Sequence, residues 1–312
     1  MKKLNACIAL TLLFCLLTAC GSDAASREPE TSVSGSTSIS VSEDPASEPT
    51  SVSVPDSPPS LAVDEEPART LCRIVDGAED GNLLLAALDG GYVYRLPAEN
   101  LTVTLDGKPA DASVLEDGMP VEVAHNGLIL ETFPAGFGEV YSVSAWSRGQ
   151  GMNGMGTTYD LCGLYLQVLE DLWEKDPGLN ADVSQIAVDL SSVPGELSEG
   201  EKAAIIWRFG EKHGVEAFAA TFDELKEQGY ITAEPLGEDA PDGVAFCHWE
   251  DGCLFSIGPN ENHEGEVYSL PTLFFDAEKW RSSLGAYCFY DCHAGWGQAT
   301  SWSYQIGTEM IS

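Results

Sequence analysis

The side chains best equipped for chemistry in this chain are nine cysteines, five histidines and one Trp280-Arg281 pair. Beyond residue 20 the thiols are Cys72, Cys162, Cys247, Cys253, Cys288 and Cys292. Structural zinc asks for closely paired ligands such as C-x2-C, and neither Cys247/Cys253 nor Cys288/Cys292 has that spacing. His248 and His293 each follow a cysteine, but neighbours on a strand point to opposite faces, so neither pair easily shares a metal. The expectation is therefore no metal and no cofactor. A disulfide between Cys253 and Cys292 is expected instead: Cys253 opens a strand after the Asp251-Gly252 turn, and Cys292 follows the end of another strand. Closing a loop of about 40 residues would stabilise by roughly 3 to 4 kcal/mol if the Cα atoms lie within about 7 Å. Cys288 is the rival partner, because it shares a face with Cys292 on a straight strand.

Catalytic motifs are scarce. There is no G-x-S-x-G elbow, no H-E-x-x-H, no phosphate-binding loop and no G-x-G-x-x-G after a strand. His213 precedes Gly214 at a helix end, where it favours the C-terminal dipole, and His125 falls in a hairpin turn. His248 and His293, with Cys253 or Asp291, are the residues from which a hydrolytic acid/base site could be assembled. Trp280-Arg281 could form a stacking and carboxylate-reading surface, or be a core anchor beside an ion-paired arginine. The acids of Asp76-Gly77-Ala78-Glu79-Asp80-Gly81 lack EF-hand spacing and read as a turn.

The elements that position these groups begin with an export signal. Lys2 and Lys3 precede an apolar run, Ile8 to Leu17, too short for a bilayer core of roughly 20 residues. Leu17-Thr18-Ala19-Cys20, followed by Gly21-Ser22, resembles the lipobox of bacterial lipoproteins. That resemblance implies a signal peptide over 1–19, cleavage before Cys20, and acyl chains on Cys20 that hold the protein to the extracytoplasmic side of the cell membrane. Two or three chains at about 0.8 kcal/mol per buried CH2 suffice for stable attachment. Residues 20–68 are Ser, Pro, Glu, Asp and Thr with almost no large apolar side chain, the composition of a disordered tether. A net charge of −35 excludes nucleic acid as a partner and keeps a surface protein soluble.

Residues 69–146 read as a small β domain. Strand-like runs at Leu71 to Val75, Asn82 to Leu88, Tyr92 to Leu96, Leu101 to Leu105, Val121 to Ala124, Leu128 to Phe133 and Glu139 to Ala145 are separated by Asp-Gly and Asn-Gly turns. Ala112 to Leu115 is a helical turn that would plug one end. The segment Gly118 to Val123 and then Asn126 to Ala135 resembles the OB-like β domain of uncharacterised bacterial lipoproteins, which implies a small barrel and carries no catalytic residue.

A Gly-rich linker, 147–156, leads to an α+β unit over 157–312. A helix is predicted from Thr158 to Glu174 by the stripe Leu161, Leu164, Tyr165, Val168 and Leu172. Ile186 to Leu190 and Val215 to Ala219 are strands; capping boxes at Ser198/Glu201 and Thr221/Glu224 start two more helices, ending at Gly214 and Gly229. A loop is expected from Thr232 to Asp242. Strands then follow at Val244 to Trp249, Cys253 to Ile257, Thr272 to Phe275, Leu284 to Asp291 and Trp302 to Thr308, giving helices first and an antiparallel meander last. The runs Tyr159 to Tyr165, Gly252 to Ile257 and Lys279 to Tyr287 resemble the C-terminal domain of uncharacterised lipoproteins of gut-type bacteria, a resemblance that transfers no activity. The order of elements is also reminiscent of cone-shaped folds related to nuclear transport factor 2.

Two function classes follow. The first is a non-enzymatic binding or interaction module of the cell envelope, whose partner is a wall component, a peptide or an envelope protein. The second is an exported hydrolase with its site in the C-terminal meander.

Overall fold

The computed structural model describes residues 66–148, 159–236, 245–263, 272–297 and 301–312. The expected signal peptide, Cys20, nearly all of the tether and the core of the Gly-rich linker lie outside the described residues.

The N-terminal part is one sheet of nine strands. These are β1 (Ala68–Asp76), β2 (Asn82–Ala87), β3 (Val93–Pro97), β4 (Val103–Leu105), β5 (Lys108–Ala110), β6 (Pro120–His125), β7 (Ile129–Leu130), β8 (Ala135–Phe137) and β9 (Val140–Ala145). Their order is β5-β4-β9-β6-β1-β2-β3-β8-β7, an open path with short edge strands, so the expected closed barrel is not formed. Nor is it a pure meander, because β3 pairs with β8 and β4 with β9 in parallel. A 3-10 turn at Ala112–Val114 stands where the sequence predicts a helical turn, capped by Asp111.

Both faces of this sheet are covered, which explains why Leu83 to Ala87 is a continuous apolar run. Cys72, Ile74, Leu83, Leu85, Val121 and Val123 fill a core of their own. Val75, Leu84, Ala86 and Val93 project the other way and join the core of the helices that follow.

Those helices are α1 (Leu161–Glu174), α2 (Glu199–His213) and the short α3 (Phe222–Glu227). They accompany a second sheet of nine strands: β10 (Gln185–Asp189), β11 (Glu216–Ala219), β12 (Thr232–Pro235), β13 (Ala245–His248), β14 (Gly252–Pro259), β15 (Thr272–Ser282), β16 (Gly285–Trp296), β17 (Trp302–Gln305) and β18 (Thr308–Ile311). β10 runs parallel to both β11 and β14, and β14, β15 and β16 are antiparallel neighbours. The protein is thus mixed α/β and strand-rich, with helices interleaved among strands of one sheet. The expected loop after Thr232 begins instead with β12, which pairs with β13, and the expected strand from Trp302 to Thr308 is two strands, both on β16.

Local chemistry accounts for the helix starts. Both predicted capping boxes form: Ser198 with Glu201 and Thr221 with Glu224 each satisfy two backbone N–H groups reciprocally. Gly214 closes α2 in the left-handed region at φ 65. Asp160 caps α1 by accepting from the Gly163 N–H at 3.0 Å.

The start of α2 also holds the two parts together. Ser198 Oγ donates to the Ala87 carbonyl at 2.6 Å, and the Gly200 N–H donates to the Gly90 carbonyl at 2.8 Å. A Cβ on Gly200 would lie 2.6 Å from the Ala87 oxygen, so glycine is required for this approach. Beneath it, Arg73 of β1 donates from Nε to Glu201 at 2.6 Å and from Nη1 to the Gly118 carbonyl at 3.0 Å. Both side chains are fully enclosed, at 1% and 4% exposure. Glu201 therefore serves the capping box with one oxygen and Arg73 with the other.

Candidate functional site

The second sheet has two different faces. Cys253, Phe255, Ile257, Leu273, Phe275, Ala277, Phe289 and Cys292 pack under α1 and α2. Leu254, Trp280, Ala286 and Cys288 point the other way, toward Leu225, Ile231, Cys247 and Trp249. Among the described residues that second face is only partly covered, and the uncovered part is a cleft of about 480 Å3.

Register places the lining in rows. Asp189 of β10 pairs with Ser256, Ser256 with Glu278, Glu278 with Cys288, and Cys288 with Met310 of β18. The neighbouring row runs Leu254, Trp280 and Ala286. Thr221, Phe222 and Asp223, at the start of α3, close one side, with Ser191 and Ser192 on the loop after β10. The floor is thus aromatic and aliphatic, and the polar groups are hydroxyls and three carboxylates. No lysine, arginine or histidine is among the described lining residues.

Glu278 is the chemically distinctive member. It is half-buried and lines the cleft, and burial pushes its carboxyl pKa up to about 7 from an ordinary 4.5. Among the described residues its carboxyl has no hydrogen-bond or ion-pair partner. Asp189, by contrast, accepts from the Ser191 N–H at 2.9 Å and the Ser191 hydroxyl at 2.6 Å.

A bulge in β16 sets which side chains reach the cleft. Phe275 pairs with Cys292 but Ala277 pairs with Phe289, so β16 carries one extra residue there. Asp291 takes φ 52, and Asp276 fixes the bulge by accepting from the Asp291 N–H at 2.9 Å and from Asn260 Nδ2 at 2.6 Å. The extra residue reverses the alternation. Cys288 consequently faces the cleft side while Cys292 faces the helices, which removes the pairing expected of a straight strand.

The expected Cys253–Cys292 disulfide is not formed either; all six described cysteines are thiols. The two do share the helix-covered face, but Cys292 pairs with Phe275 whereas Cys253 precedes Leu254, the partner of Trp280. The run from Phe275 to Trp280 separates them by roughly 17 Å at about 3.3 Å per residue. Burial pushes both thiols up to about 12, so neither supplies a thiolate.

Trp280 and Arg281, expected as one ligand surface, separate to opposite faces. Trp280 lines the cleft, packed edge-on against Phe222 at 5.0 Å. Arg281 is a structural strut: its guanidinium donates to the carbonyls of Leu179 at 3.2 Å, Ala181 at 2.8 Å and Glu250 at 2.7 Å. The histidines do not converge on a catalytic arrangement. His293 stacks on Phe274, which stacks in turn on His263, and His248 lies near Phe246. His213 stacks on Trp173 beside Glu170. His125 ends β6, where its Nδ1 accepts from the Gly127 N–H and its Nε2 bonds the Thr70 hydroxyl. No group of three potential metal ligands occurs among the described residues.

Sequence reasoning passed over Glu278 because the expected strand stopped at Phe275, before the polar run Asp276-Ala277-Glu278-Lys279. The usable signal is the alternation Leu273, Phe275, Ala277 continuing beneath those charges. No helix among the described residues is long and apolar enough to cross a membrane. Comparisons of the chain with protein-family models, with curated proteins and with solved structures return no match.

Proposed function

We propose that this chain is a lipid-anchored extracytoplasmic binding protein, tethered by acylated Cys20 and capturing a small ligand in the cleft of its second sheet. The observation that carries the binding role is the 480 Å3 cleft itself: an apolar floor with a few convergent polar groups in an otherwise closed core. The N-terminal sheet, on this reading, is an OB-like scaffold that braces α2 and takes no part in binding. The anchor rests on the lipobox pattern alone.

A hydrolase reading draws on the same carboxyl, since a glutamic acid with a pKa of about 7 suits a general acid. Ser256 and Cys288 flank Glu278, but no histidine is among the described lining residues to activate either one, and binding is the better-supported role.

Two measurements test the proposal. Fatty-acid labelling of the expressed chain should mark the wild type and vanish in Cys20→Ser; an unlabelled wild type removes the anchor. A thermal-shift screen of the Cys20→Ser chain against muramyl peptides, short peptides and organic amines should give a stabilising ligand. Met310→Trp, which fills the cleft from β18, should abolish that shift; a shift that persists removes the cleft as the site.

A further inference from the structure

We propose that the cleft is selective for an organic ammonium ion, with the cation seated against Glu278 and its carbon skeleton lying on Trp280 and Phe222. This inference rests on the cleft being a ligand site and names the class of ligand it takes.

Four observations carry it. Glu278 reaches into the cleft from the middle of β15, flanked by Ser256 and Cys288, with no described partner for its carboxyl. A carboxylate in such a place is costly unless a counter-charge arrives. The cationic side chains next in sequence are turned away. Lys279 is spent on Asn180 and the backbone at the end of α1, and Arg281 on three carbonyls. Among the described residues, the counter-charge is left for a ligand to supply.

Asp189 and Asp223 add two more acids to a lining in which no described residue is cationic, and the whole chain carries a net charge of −35. A cleft of one sign within a strongly acidic protein concentrates cations and repels carboxylates and phosphates. A hard metal ion does not fit the same site, because it requires six or more oxygen ligands and the described residues assemble no such group. An ammonium ion needs only a carboxylate and a few acceptors, which Glu278 and Ser256 provide.

The apolar part of the lining decides that the cation is attached to a sizeable organic body. Half-buried Phe222 meets Trp280 edge to face, and Met310 and the outer edges of the nearly buried Trp280 and Leu254 complete an apolar wall beside the carboxyl. A bare ammonium or a small polyol leaves that surface wet. An amine with an aromatic or aliphatic body covers it and places its charge near the rings as well as the carboxylate.

Capture of the cation is coupled to a proton. At neutral pH a part of the Glu278 population is protonated, and seating an ammonium ion requires the carboxylate. Binding therefore releases that proton to solvent.

The test uses three probes with one indole ring and different heads: tryptamine, the neutral alcohol tryptophol and the anion indole-3-acetate. Calorimetric titration of the Cys20→Ser chain should rank tryptamine at least about tenfold tighter than tryptophol, with indole-3-acetate weakest. At pH 7, titration in two buffers of different ionisation enthalpy should show about half a proton released per tryptamine. Glu278→Gln should remove both the tenfold preference and the proton release while leaving tryptophol binding within about threefold. Equal binding of tryptamine and tryptophol by wild type overturns the ammonium proposal and leaves the cleft as a ligand site. Tryptamine preference that survives in Glu278→Gln also overturns it. No binding of any probe at millimolar concentration, with Met310→Trp indistinguishable from wild type throughout, overturns the cleft reading together with this one.

Discussion

Glu278 and Lys279 are neighbours on one strand, the glutamate half-buried at the cleft and the lysine fully buried, and their surroundings could hardly differ more. Lys279 points under the helices, where its ammonium donates to the carbonyls of Trp173, Lys175 and Asp176 and to Asn180 Oδ1. Those carbonyls end α1 or lie just beyond it, so the lysine satisfies orphan acceptors at the negative end of a helix. Glu278 points into the cleft and, among the described residues, is met by nothing of comparable kind. Burial of a charge is thus no mark of function by itself: one of these groups completes the fold, and the other leaves an unmet requirement that a ligand can fill. The same division runs across the whole sheet. The helix-covered face is closed and almost wholly apolar, and the open face concentrates hydroxyls and acids over an apolar floor.

The sharpest way to break this comparison is to remove the lysine. Lys279→Met keeps the apolar stem but leaves the α1 carbonyls buried and unpaired, and should cost about 3 kcal/mol of unfolding free energy, read from the urea midpoint. A cost under about 0.5 kcal/mol would mean that water replaces the ammonium and that the two faces are not so different.

The opposite sign is expected for the glutamate. Its pKa is raised on folding, so the folded state holds the proton more tightly than the unfolded chain does. Stability from this group is complete below about pH 4.5 and is lost as pH rises through about 7, above which folded and unfolded forms are both ionised. Glu278→Gln should therefore stabilise by about 2 to 3 kcal/mol at pH 8 and by little at pH 4. Thermal melts of both proteins across that window check it; a variant less stable than wild type at pH 8 would show that the carboxylate is paired after all.

The smallest effect belongs to the strut beside them. Arg281→Ala should cost about 1 kcal/mol, because its three carbonyl acceptors are near the surface and water can take over part of the donation. Tryptamine affinity should be unchanged in this variant. A drop of more than about threefold would restore Arg281 to the ligand surface that the sequence alone suggests.

Much of the local structure is readable without coordinates. The two capping boxes form as predicted, Gly214 ends α2 where expected, and the stripe Leu161, Leu164, Tyr165, Val168 and Leu172 is buried along α1. These features are legible because each is settled within about one helical turn by backbone donors, acceptors and the 3.6-residue period. The division of residues 69–146 into short strands is likewise visible in Asp-Gly and Asn-Gly turns.

What depends on distant partners is not legible. The openness of the first sheet follows from which edge strands meet, and no pattern within β5 or β7 states that. The interleaving of β10 and β11 with the later strands follows from parallel pairing across long stretches of chain. A single extra residue near Asp291 reverses the faces of Cys288 and Cys292, and its position is held by Asp276 and Asn260 from other elements.

The candidate site belongs to this second category. By itself the sequence determined the acidic charge, the scarcity of catalytic motifs, the caps and the apolar stripes, since those properties reside in composition and short-range spacing. Only the tertiary structure decided that Trp280 and Arg281 part company, that Cys253 and Cys292 stand too far apart to bond, and that Glu278 faces an open cleft while Lys279 is locked beneath a helix. The physical reason is that a strand presents alternate residues to opposite faces, and what each face meets is set by chain far away in sequence.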